Sequence, residues 1–112
     1  MKKLDHLQDI FNNYDYFIID LWGVVHNGIE PYQGAMKTIE ELHNNNKKYL
    51  FLSNAPRPVS DVKNFLIKKM GIDEKYLKNI LTSGGAAINS IKKFNYGKFF
   101  FHLGPDRDKK IY

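Results

Sequence analysis

The chain has 112 residues, enough for one domain. Hydrophobic residues make up 43% and charged residues 26%, ordinary globular usage that excludes disordered, collagen-like and low-complexity classes. Cysteine is absent, which excludes a disulfide framework, a thiolate metal site and a Cys nucleophile. The formal charge is +5, but 15 of the 17 cations are Lys, scattered in ones and twos, and only Arg57 and Arg107 are arginine. That pattern reads as solvated surface rather than a nucleic-acid face. No apolar run approaches the roughly 18 residues of a membrane span. The N-terminus carries Asp5, His6, Gln8 and Asp9 where a signal peptide needs apolar residues. The expectation is a cytoplasmic protein with no nucleic-acid or membrane partner.

Leu4, Leu7, Ile10 and Phe11 recur at helical spacing and stop at Asn12-Asn13. Residues 16–21, YFIIDL, are a short apolar run of the kind that forms a strand buried on both faces. Gly23, Gly28 and Pro31 make residues 22–33 a loop. Residues 34–43 place Ala35, Ile39 and Leu42 on one helical stripe. YLFL at 49–52 predicts a second strand, which Pro56 and Pro58 end. Ser60 reads as the N-cap of a helix with Val62, Phe65, Leu66 and Met70 inward and Gly71 as its stop. Residues 73–78 suit one or two helical turns, and 80–82 a third strand. A helix over 86–94 would bury Ala87, Ile91 and Phe94. Residues 98–103 predict a fourth strand closed by Gly104-Pro105, and 106–112 open a last helix.

Strands alternating with helices of about ten residues argue for an α/β, Rossmann-like three-layer α/β/α domain with a mainly parallel sheet. In such sheets ligands sit beyond the carboxyl ends of the strands. Polar groups stand at those ends: Asp20, Ser53-Asn54, Thr82-Ser83 and Gly104. A carboxylate at position 20 suits a metal ligand or a nucleophile, or simply an acceptor for loop amides. Ser53 and Asn54 suit an anion site built with backbone N–H groups, or a turn held by local hydrogen bonds.

Taken together, these segments resemble a known family. Residues 16–35, YFIIDLWGVVHNGIEPYQGA, are similar to the first motif of the haloacid dehalogenase (HAD) superfamily, and specifically of its class IIA branch. Asp20, Gly23, Val24, Gly28, Glu30, Pro31, Gly34 and Ala35 fall in register with that motif. YLFLSNAPRP at 49–58 resembles the second motif, and LTSGGAA at 81–87 and KFFFHLGPDRD at 98–108 resemble later segments. The resemblance implies a phosphatase-type hydrolase acting on a small phosphorylated metabolite. It implies Asp20 as nucleophile and Mg²⁺ ligand, the carbonyl of Trp22 as a second ligand, and Ser53, Asn54 and Gly23 as phosphate-binding groups.

Two departures from the family pattern stand out. Trp22 occupies the place of the family's second Asp and has no carboxyl to move a proton; His26 and Asp15 are the titratable groups nearby. The third-motif Lys or Arg and the fourth-motif Gly-Asp segment, which follow a cap domain in class IIA, have no counterpart in residues 1–112. The expectation is therefore one partial, capless core over 1–112, truncated, weakly active or inactive, and completed by an oligomer or a complementing C-terminal half. The alternative is a non-catalytic α/β module that binds a phospho-ligand or a protein. A flavodoxin-like or response-regulator-like domain shares the element order but wants an acidic pair that is missing here. Asp106 and Asp108 read as helix caps.

Overall fold

The computed structural model describes residues 6–106 and residue 108. Strand β1 (Tyr16–Asp20) leads through a loop to α2 (Gln33–Asn44), then β2 (Lys48–Ser53), α3 (Val59–Lys68), a 3₁₀ turn (Glu74–Tyr76), β3 (Ile80–Thr82) and α4 (Ser83–Lys93). A single helical turn, α1 (Gln8–Phe11), precedes β1. The sheet has order β1-β2-β3 and is parallel throughout. This is the α/β, Rossmann-like class that the alternating pattern predicts.

Register brings the strand ends together. Asp20 pairs with Leu52, so Ser53 stands one residue beyond, and Ser53 in turn pairs with Thr82. Helices α2 and α3 bury Ile39, Val62 and Leu66 against Phe51, and the 3₁₀ turn adds Tyr76 and Leu77 to the same core. Leu66 and Leu42 are fully buried and Phe51 is 1% exposed. No helix among the described residues is long and apolar enough to cross a membrane.

Several expectations need correction. β1 is covered on one face only: Ile18 is 71% exposed, and Leu52 and Leu81 on the neighbouring strands are also exposed. An apolar run tells how a strand partitions only when both faces meet a layer, and here one face stands open. Residues 98–103 form no strand, and Phe99, Phe101 and Leu103 are exposed. Ser60 does not cap α3: the helix opens at Val59 behind Pro58, whose side chain makes no cap bond. α4 starts three residues earlier than expected, at Ser83, because Thr82 Oγ1 accepts the Gly85 N–H at 2.9 Å. Ala87 and Phe94 lie exposed rather than buried. The expected first helix is limited to α1, with Leu4 outside the described residues. The expected last helix shows one turn at Asp106 and Asp108 and otherwise falls outside them.

Candidate functional site

A crevice of about 590 Å³ lies beyond the carboxyl ends of the strands. That is within the range of about 300–1,000 Å³ typical of small-molecule sites. Its floor carries Asp20, Ser53 and Asn54. Trp22, His26, Arg57, Asp61 and Phe65 form walls, and Asp108 reaches in from the last described turn.

The first wall grows out of β1. Asp20 Oδ1 accepts the N–H of Leu21 at 2.8 Å, which orients the carboxylate at the strand end. The chain then folds back on itself, with the Leu21 carbonyl accepting the N–H groups of Val25 at 2.9 Å and His26 at 3.2 Å. Trp22 and His26 form a one-residue bridge, and their rings meet edge to face at 5.4 Å. Gly28 sits against the indole, where a Cβ would press on the ring, 2.9 Å from Cζ3; its φ of +90° also demands glycine. The indole is thereby fixed although Trp22 is 66% exposed.

His26 is only 4% exposed, although the sequence places it in the loop over 22–33. Its Nδ1 accepts the Gly28 N–H at 3.0 Å and its ring packs on Phe65. That bond places the proton of the neutral ring on Nε2. Burial pushes its pKa below the usual histidine range, with the nearby Asp20 charge opposing the shift.

The second wall follows β2. Residues 54–57 are clamped by the segment that ends β3 and opens α4. Thr82, fully buried, donates from Oγ1 to the Arg57 carbonyl at 2.7 Å. Ser83 Oγ donates to the carbonyls of Asn54 and Ala55, and the Gly84 N–H reaches Ala55 O at 3.1 Å. Gly84 lets the two backbones touch: a Cβ there would run into the Pro56 carbonyl and stand 2.7 Å from Arg57 N. Ser53 Oγ accepts the Ala55 N–H at 3.2 Å, leaving its own proton for a ligand.

The structure thus gathers Asp20, Trp22, Ser53 and Asn54, all expected from the sequence, into one crevice. Gly23 stands beside it, outside the lining, with its N–H committed to His26 O at 2.8 Å. Sequence reasoning did not anticipate the buried His26 ring, the clamp from Thr82 to Gly84, or the ion pair between Arg57 and Asp108. The pair has Nε to Oδ1 at 3.6 Å, with the Asp108 side chain 12% exposed; Asp108 was expected as a helix cap.

The crevice is acidic on a basic chain. Its described charged lining is Asp20, Asp61 and Asp108 against Arg57. Asp20 and the Trp22 carbonyl, which accepts no hydrogen bond among the described residues, are oxygen donors suited to a hard cation. Magnesium typically takes one or two carboxylates and keeps several waters, so this sparse donor set fits it. No cluster of three or more His, Asp or Glu that could hold a metal occurs among the described residues.

Comparison with known proteins bears on this geometry. The family model described as haloacid dehalogenase-like hydrolase matches residues 17–112. Among solved structures, a hydrolase of the haloacid dehalogenase-like family from Brucella suis 1330 superposes with a TM-score of 0.82 at 29% identity. The match covers 97% of this chain and 41% of that one, so the chain spans about two fifths of that hydrolase's length. No curated protein matches.

Proposed function

The chain belongs to the haloacid dehalogenase-like hydrolases, and from that membership we propose that it carries the nucleophile side of a phosphatase-type site of the class IIA kind. The substrate is a small phosphorylated metabolite. The observation that carries this reading is Asp20 at the end of β1, sharing one crevice with Ser53 and Asn54 at the end of the adjacent strand.

In this reading an Asp20 carboxylate oxygen forms a bond to phosphorus while the bond from phosphorus to the leaving oxygen breaks. The leaving oxygen takes a proton from solvent, and water later hydrolyses the aspartyl-phosphate to free Asp20 and inorganic phosphate. Ser53 Oγ–H and Asn54 hold the phosphoryl oxygens in line. Asp20 and the Trp22 carbonyl would hold Mg²⁺, which when bound supplies positive charge against those oxygens.

Trp22 has one N–H donor and nothing that titrates. General acid–base assistance, typically worth roughly 10²- to 10⁴-fold, is therefore missing at the position next to the nucleophile. The expectation is a slow site in which the aspartyl-phosphate, once formed, is hydrolysed slowly. The clamp on residues 54–57 still holds the segment that follows Ser53 and Asn54 in place, and fixed donors are what electrostatic stabilisation needs.

The test is covalent trapping. The chain is incubated with acetyl phosphate and Mg²⁺, reduced with borohydride and mapped by mass spectrometry. The reading expects a label at residue 20 that disappears in Asp20→Asn. Failure to label residue 20 would contradict it. Phosphonate binding without labelling would instead favour a non-catalytic phospho-ligand module, a reading that Trp22 supports.

A further inference from the structure

Arg57 is the one positive group among the described residues that line the crevice. The other described charged residues lining the crevice are Asp20, Asp61 and Asp108, so Arg57 is the charged side chain there that attracts an anion. The backbone of Arg57 is held far more tightly than a surface arginine requires. Thr82 Oγ1 bonds its carbonyl at 2.7 Å, and Gly84 packs on the Pro56–Arg57 peptide. The side chain remains 44% exposed, and its partner Asp108 stands 3.6 Å away, longer than a close charge-assisted bond.

Position adds the next step. Asp20 ends β1, and Arg57 is tied to Thr82 at the end of β3. Two strand spacings, about 10 Å, separate those strands. A phosphoryl group seated on Asp20 and Ser53 shares this crevice with Arg57, which stands four residues beyond Ser53 on the segment held from the end of β3.

We propose that Arg57 recognises a second anionic group on the ligand, so that the substrate class is a small metabolite with a phosphate at one end and a carboxylate or second phosphate at the other. This rests on the phosphoryl-site reading above. Asp108 pairs with the guanidinium as an internal stand-in, and the ligand's second anion displaces it. The planar fork of arginine suits carboxylate and phosphate alike.

The experiment measures binding of two probes of equal length to the full chain by calorimetry, with magnesium chloride present. One is 4-phosphonobutyrate; the other is butylphosphonate, which lacks the carboxylate. The wild-type chain is expected to prefer 4-phosphonobutyrate by about tenfold, the effect of a charge-assisted pair of about 1.4 kcal/mol. Arg57→Gln removes the preference and leaves butylphosphonate binding within about twofold, while Arg57→Lys keeps part of it. Asp108→Asn, which deletes the stand-in, strengthens 4-phosphonobutyrate binding. A purely structural ion pair would weaken both probes in either variant. A bisphosphonate probe of matched length then separates the two chemistries of the second anion, each consistent with the proposal. Equal binding of the probes, with both lost in Ser53→Ala, overturns the role of Arg57 and leaves the phosphoryl site standing. No binding of either probe overturns both.

Discussion

The two faces of the sheet are made of the same kinds of residue and meet opposite surroundings. On one face Phe51 is 1% exposed and packs under Leu66 and Ile39; on the other Ile18 is 71% exposed beside Leu52 and Leu81. The contacts that set the crevice come from the first face and from the strand ends and the turns that follow them. Leu21 and Val25 are buried in the core, and the turn they anchor carries Trp22 and His26. Val62 and Phe65 of α3 reach from the core into the crevice wall. The site's geometry is thus an extension of the packed face, and the open face contributes apolar surface without positioning any of the candidate groups.

Substitutions on the two faces separate them most widely. Leu66→Ala removes a fully buried side chain from the packed face and is expected to cost about 3 kcal/mol in urea unfolding. Leu81→Ser on the open face is expected to change stability by about 0.5 kcal/mol or less and to reduce binding of an apolar dye. Comparable losses at the two positions would erase the contrast. Gly84→Ala tests the clamp, because the new methyl meets backbone at Pro56 and Arg57 rather than a yielding side chain. The expected cost is about 2 kcal/mol, together with weaker phosphonate binding. Thr82→Val keeps the shape but deletes the bonds to the Arg57 carbonyl and the Gly85 N–H. About 1 to 2 kcal/mol is expected, with α4 fraying at its first turn in amide exchange.

The smallest effect concerns Asp73, which caps the 3₁₀ turn that seats Tyr76 and Leu77 on the packed face. The N–H of Lys75, 2.9 Å from its carboxylate, holds its pKa below the ordinary carboxylate value. A depressed carboxyl contributes stability at pH above its unfolded value of 3.8 and loses it as pH falls through the folded value. Thermal melts should therefore drop below about pH 4 more steeply in the wild type than in Asp73→Asn.

How much of this was legible in the sequence follows the same division. Asp20, Ser53 and Asn54 were visible because each is a polar group at the end of an apolar run, and the parallel alternation puts such ends side by side. Arg57 was visible as part of the second motif, but its ion pair with Asp108 depends on where the chain returns. His26 looked like loop because Asn27 and Gly28 follow it, yet those residues build the turn that buries its ring. Gly84-Gly85 read as a break before a helix. They lie within its first turn, where a Cβ on Gly84 would run into the Pro56 carbonyl and one on Gly85 would stand 3.0 Å from Thr82 Oγ1 and Val59 Cγ2. Residues 98–103 have strand composition, but a strand exists only where a neighbour supplies its hydrogen bonds. Composition could not reveal that one face of β1 stands open.

The measurement that bears most directly on the central claim is an amide NMR titration of the full chain with beryllofluoride and Mg²⁺, a mimic of a phosphorylated carboxylate. The account predicts the largest shifts at residues 20–22 and 53–57, smaller ones at 82–84 through the clamp, and none at Ile18, Leu81 or residues 98–103. Shifts confined to the open face, or none at Asp20 and Ser53, would contradict it.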